Sequence, residues 1–121
     1  MLALRVLVVD DEEMVRRILT RYLVAAGHQV DNAVDGTDAL RQLSERSYDV
    51  ALVDVLLPGG VDGLTLLGQV RESSPELKVI IITGHGSPEM ERTAREQGAV
   101  GFLTKPFSLL ELGDMLAQLS A

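Results

Sequence analysis

No cysteine occurs among the 121 residues. A disulfide framework and a thiolate metal site are therefore both excluded. Any bound metal must be held by oxygen or by the two histidines, His28 and His85. Lack of cysteine also fits a cytoplasmic protein, where thiols stay reduced. Basic residues are few: 11 against 18 acidic ones, a formal charge of −7. A nucleic-acid-binding face must neutralise phosphates, so direct DNA or RNA binding is not expected. Long hydrophobic runs are missing too. The apolar stretch Leu2–Val9 is far too short to span a bilayer. It leads straight into Asp10-Asp11 without a small-residue cleavage site, so neither a membrane span nor a signal peptide is expected. Linkers, repeats and low-complexity segments are absent. One domain covering residues 1–121 is expected, long enough to bury roughly two-thirds of its unfolded surface.

What the chain does contain is a set of short apolar runs. Leu4–Val9, Val50–Val53, Val79–Ile82 and Val100–Leu103 are rich in β-branched residues, as strands covered on both faces should be. A more polar stretch, His28–Ala33, fits an edge strand. Helical spacing lies between them. Met14, Val15, Ile18, Leu19, Tyr22 and Leu23 recur on one helical face, with charged residues largely between. Asp35-Gly36, Asp62-Gly63 and Ser87-Pro88 each precede a helical pattern as a cap and first turn. Ser108-Leu109-Leu110-Glu111 has the form of a capping box, with Phe107 and Leu112 placed to staple it. Five strands alternating with five helices predict an α/β fold: a doubly wound, parallel (βα)5 sheet.

In an open parallel sheet, ligands bind at the carboxyl ends of the strands. The first run ends at Asp10-Asp11, the third at Asp54, the fourth at Thr83-Gly84 and the fifth at Thr104-Lys105-Pro106. Three carboxylates meeting at one edge repel each other. A like pair at about 4 Å costs about 4 kcal/mol at an effective dielectric of 20. A hard, oxygen-rich cluster of this kind suits Mg²⁺, and Lys105 supplies a second positive charge.

These residues, in this order and spacing, resemble the signature of response-regulator receiver domains of two-component signalling. The likeness covers essentially the whole chain. Thr83-Gly84-His85-Gly86 and Gly98–Phe107 are similar to receivers of transcriptional regulators and hybrid kinases. The resemblance implies a flavodoxin-like sheet with strand order 2-1-3-4-5. It implies that Asp54 accepts a phosphoryl group from the phosphohistidine of a sensor histidine kinase. It implies that Asp11 binds Mg²⁺ directly, Asp10 through water, and the Leu56 backbone carbonyl as a further ligand. Lys105 would pair with Asp54 and then with a phosphoryl oxygen, and Thr83 would donate its hydroxyl to that group. The Lys105–Pro106 peptide is expected to be cis. Phe102 falls at the family's rotameric switch position. Leu56 and His85 fall where the family tunes the lifetime of the phosphoryl group; an apolar Leu56 cannot orient an attacking water, so a lifetime of minutes or longer is expected. The output would be the face made by the fourth helix, fifth strand and fifth helix, acting on an output domain, a downstream protein or a second copy.

One departure stands out. The family usually places Pro four and Gly eight residues after the acceptor. Here Pro58 fits, but Gly63 comes nine after, so the loop following the third run is expected to be longer by one.

Each feature alone has an ordinary explanation. Asp10-Asp11 is a plausible helix cap, Asp54 a turn residue, Thr83-Gly84 a strand end and Lys105-Pro106 a loop. His85 fits a solvated loop, Phe102 a core position, and the charges Glu89, Glu91, Arg92, Arg95 and Glu96 a solvated helix face. Their coincidence at one sheet edge is what points to chemistry. Three competing functions are weaker. A dehalogenase-like Mg²⁺ phosphatase usually has a second Asp where Leu56 stands. A flavodoxin-like FMN binder needs a Ser/Thr/Gly-rich phosphate loop, where this chain has Asp10-Asp11-Glu12-Glu13 and only 3% aromatics overall. A pseudo-receiver that binds partners without phosphorylation usually lacks an acidic or Lys position that this chain keeps.

Overall fold

The computed structural model describes residues 3–119. The two ends of the expected 1–121 domain, and Leu2 at the head of the first apolar run, lie outside them. Strands and helices alternate strictly: β1 (Arg5–Val9), α1 (Glu13–Ala25), β2 (Gln29–Ala33), α2 (Gly36–Glu45), β3 (Val50–Asp54), α3 (Gly63–Ser73), β4 (Lys78–Thr83), α4 (Pro88–Glu96), β5 (Gly101–Thr104) and α5 (Leu109–Leu119). All four strand pairings are parallel, and the order is β2-β1-β3-β4-β5. β2 is an edge, as its polar sequence predicts.

Side-chain alternation along the strands divides the core in two. Leu7, Val9, Ala51, Val53, Val79, Ile81 and Phe102 face one side and meet Ala39 of α2, Leu66 and Val70 of α3 and Ala94 of α4. Val6, Val8, Val50, Leu52, Ile80, Ile82 and Leu103 face the other and meet Leu19 and Leu23 of α1 and Leu112 and Leu116 of α5. Burial on both faces is why these strands are almost purely apolar rather than alternating.

Most helix starts follow from the expected caps. The carboxylates of Asp35 and Asp62 accept from the N–H groups of Asp38 and Thr65. The hydroxyls of Ser87 and Ser108 accept from Met90 and Glu111. Each satisfies one donor that the first helical turn leaves unpaired. α1 differs. Its cap position is Glu12, which makes no side-chain cap bond. Its apolar stripe is also narrower than the periodicity predicts, because Met14 and Ile18 are exposed and only Leu19 and Leu23 are fully buried. His28 is buried, and its Nδ1 accepts the Leu4 N–H at 3.0 Å, so it serves the base of the sheet rather than a ligand.

Candidate functional site

The carboxyl ends of β1, β3, β4 and β5 bring their polar residues to one edge. Adjacent strands in register make this unavoidable: Val9 pairs with Val53, Asp54 with Ile82, and Thr83 with Thr104. Asp10, Asp54 and Thr83 are all buried, at 1%, 5% and 0% exposure. Such depth is unusual for carboxylates and has to be offset by a partner.

Lys105 is that partner. Its Nζ donates to Asp54 Oδ2 at 2.9 Å, to Asp10 Oδ2 at 3.0 Å and to Glu12 Oε1 at 3.2 Å. Its peptide bond to Pro106 is cis, as expected. Burial alone would push the Lys105 ammonium down, but the hydrogen bonds to Asp54 and Asp10 outweigh it and hold it well above its usual range. The opposite balance holds at Asp10. Burial, with the Asp54 charge added, raises its carboxyl above the usual range despite the Glu12 N–H and Lys105 that favour the anion. One ammonium among three carboxylates leaves the edge negative.

Asp10, Glu12 and Asp54 each offer an oxygen, and these oxygens lie within 4.8 Å of one another. Three hard oxygen donors, one of them on the exposed Glu12, fit Mg²⁺. Asp11 is exposed and stands outside this group, whereas Glu12 is inside it. In the sequence Glu12 stands out only as part of the acidic run Asp10-Asp11-Glu12-Glu13. The missed signal was its position, two residues beyond Asp10 and ahead of the first helical turn.

The longer loop after β3 is held at its base. Leu56 N–H donates to Asp54 Oδ1 at 3.0 Å, and Gly63 N–H donates to the Val55 carbonyl at 2.9 Å. A Cβ on Gly63 would collide with the Asp54 carbonyl oxygen and Val55 Cα, so only glycine fits there. Val55 and Leu57 are buried while Leu56 between them is 58% exposed. The loop's tip, Pro58-Gly59-Gly60, is exposed, and Gly59 takes a φ of +86° there. Its first residues are tied to Asp54.

Above β4, the His85 N–H donates to Thr83 Oγ1 at 3.1 Å, which anchors the threonine hydroxyl within its own loop. His85 itself is exposed. Phe102 is buried at 9% in the core that includes Ala94 and is flanked by Met90 of α4. Gly86 passes over both residues: a Cβ there would lie 3.1 Å from the Phe102 ring and 3.1 Å from Thr83 Cγ2. Thr83 and Phe102 therefore share one tightly filled region between the carboxylate edge and α4.

Known proteins resemble this chain in sequence and fold. A family model described as the response regulator receiver domain matches residues 6–117. The DNA-binding transcriptional regulator NtrC of Escherichia coli K12 is 40% identical over 104 residues, covering 86% of this chain but 22% of NtrC. The chain thus spans under a quarter of that relative's length. Vibrio cholerae chemotaxis protein CheY4 superposes with a TM-score of 0.89 at 31% identity, over 98% of this chain and 99% of its own. TrrA of Thermotoga maritima, solved in complex with Mg²⁺ and BeF, superposes with a TM-score of 0.85 at 30% identity, over 95% and 97% of the two chains. With the model spanning nearly every described residue, the chain belongs to the response regulator receiver family of two-component signalling.

Proposed function

We propose that this protein, as a single receiver domain over residues 1–121, is a phosphorylation switch whose acceptor is Asp54. The observation that carries the reading is the contact of Lys105 with Asp10 and Asp54 in a buried, oxygen-rich cup. The donor is the phosphohistidine of a sensor histidine kinase in the cytoplasm. An Asp54 oxygen forms a new O–P bond as the P–N bond breaks, and the imidazole leaves with the bonding electron pair. Phosphoryl transfer of this kind needs mainly positioning and neutralisation of the equatorial oxygens.

Asp10, Glu12 and Asp54 supply oxygens for Mg²⁺, with Asp11 and the Leu56 carbonyl as the further ligands that the family pattern implies. When bound, the cation supplies positive charge opposite the incoming phosphoryl oxygens. Lys105 needs only to slide from Asp54 Oδ2 to a phosphoryl oxygen, and its strong hold on the proton keeps it cationic throughout. Thr83 gives up its contact with the His85 N–H and donates its own hydroxyl to the phosphoryl group. The space it leaves is shared with Phe102, so both residues shift together and bias the face of α4, β5 and α5 between two arrangements. The output is contact with a partner: an output domain, a downstream protein or a second copy through that face.

The test is intact mass after incubation with acetyl phosphate. One phosphoryl adduct that requires Mg²⁺ and is lost in Asp54→Asn supports the reading. No adduct on the folded protein with Mg²⁺ present refutes it and leaves a module that binds partners through its unmodified surface.

A further inference from the structure

The loop that carries Leu56 does not stand alone. Val61, its last apolar residue, is half-buried and packs on the core cluster that includes Ala39 and Leu57. It lies directly against Gly36, the first residue of α2. A Cβ on Gly36 would run into the Val61 carbonyl oxygen, Cγ1 and Cβ. Gly36 does not take a left-handed backbone, since the only positive-φ glycines are Gly27, Gly59 and Gly98 among the described residues. What its position requires is therefore space, and Val61 fills that space. The loop tip between, Pro58-Gly59-Gly60, is fully exposed. The loop is thus fixed at its base by Gly63 and Val55 and at its far shoulder by Val61 and Gly36, with a flexible glycine pair between.

We propose that Val61, braced on Gly36, is a positioning residue for the cation site, holding the β3–α3 loop so that the Leu56 backbone faces the carboxylates. This rests on the Mg²⁺ reading above. Two neighbouring glycines and one added residue would otherwise let the loop sample many conformations. A ligand on a mobile loop must be ordered when the cation binds, and that ordering weakens affinity. The packing of Val61 pays this cost in advance, during folding. It also makes the start of α2 part of the cation site, although no residue of α2 belongs to the Asp10, Glu12 and Asp54 oxygen group.

The experiment is Mg²⁺ titration of the full chain by calorimetry, for the unsubstituted protein, Val61→Ala, Val61→Ile, Gly36→Ala and Leu43→Ala. Leu43 packs on the same core cluster but belongs to the body of α2, so it reports general loosening. Val61→Ala and Gly36→Ala should weaken Mg²⁺ binding by about tenfold, the scale on which supporting groups act on metal affinity. Val61→Ile should keep it, as should Leu43→Ala. Acetyl phosphate labelling of Val61→Ala should recover at saturating Mg²⁺, because Asp54 and Lys105 are untouched. Unchanged affinity in Val61→Ala overturns the proposal, as does equal weakening in Leu43→Ala. Absence of Mg²⁺ binding by the unsubstituted protein would instead sink the reading of the carboxylate edge on which it rests.

Discussion

Burial works against the charge of Asp10, and removing that charge should strengthen the metal-free protein. The balance can be worked from the geometry. At an effective dielectric of 20, the Lys105 ammonium at 3.0 Å favours the Asp10 anion by about 5.5 kcal/mol. The Asp54 and Glu12 carboxylates, each within 4.8 Å, oppose it by at least about 3.5 kcal/mol apiece. No attraction then remains to offset the several kcal/mol that burying an ion costs, and Asp10 is only 1% exposed. Net disfavour of the anion agrees with the upward push on its carboxyl. In Asp10→Asn, Oδ1 still accepts the Glu12 N–H, and Lys105 keeps Asp54 and Glu12. We expect a gain of about 1–2 kcal/mol at pH 7 in EDTA, measured by urea unfolding. For a 121-residue domain that is about 4–8 °C in Tm. A carboxyl raised on folding contributes stability below its unfolded value, near 3.9, and loses it as pH rises through the folded value. The gap should therefore close as pH falls below about 4. Mg²⁺ should narrow it from the other side, by stabilising the unsubstituted protein more than the variant. A variant no more stable than its parent in EDTA at pH 7, or a gap that persists in acid, refutes the reasoning.

Gly63→Ala should lower Tm by several degrees, about 1–3 kcal/mol of overpacking, because its Cβ meets backbone atoms of Asp54 and Val55 rather than a yielding side chain; thermal unfolding with an unchanged midpoint would show a loop free to move. Tyr48 is part-buried and donates to Asp31 at 2.6 Å, and burial followed by that bond and charge raises its phenol to about 12. Ultraviolet titration should find a tyrosine ionising near there, and the stability it contributes should be intact below pH 10 and lost as pH passes 12. The exposed, apolar Leu56 predicts a phosphoryl group on Asp54 that persists for minutes or longer without a kinase, and Leu56→Asn should shorten that lifetime severalfold in a timed mass measurement. Decay within seconds in the unsubstituted protein would remove Leu56 as the cause.

Strand identity and order of the site were readable because each depends on local pattern. β1, β3, β4 and β5 are buried on both faces, so their runs are apolar and end abruptly where the polar edge begins. Asp10, Asp54, Thr83 and Lys105 could be located at that edge simply as the first polar residues beyond each run or near its end. The sheet order was not readable in the same way. Nothing in the composition of β1 says that it lies between β2 and β3; that came from resemblance and is seen in the pairings.

Interactions between elements left weaker marks. Met14 and Ile18 keep the helical period of α1 yet are exposed, because periodicity records a face and not what covers it. Glu12 sits among acidic residues that periodicity assigns to solvent, and it is exposed, yet its carboxylate accepts from Lys105, 93 positions away. Val61 and Gly36 are the same kind of case. Each adjoins a helix cap, Asp35 or Asp62, but a cap marks only its own helix, and the glycine needs no unusual backbone angle. Their contact brings the loop's shoulder onto α2 while its tip, residues 58–60, stays exposed. The loop is therefore held twice, at its base by Leu56 and Gly63 and at its shoulder by Val61, on an element that no motif of the site includes.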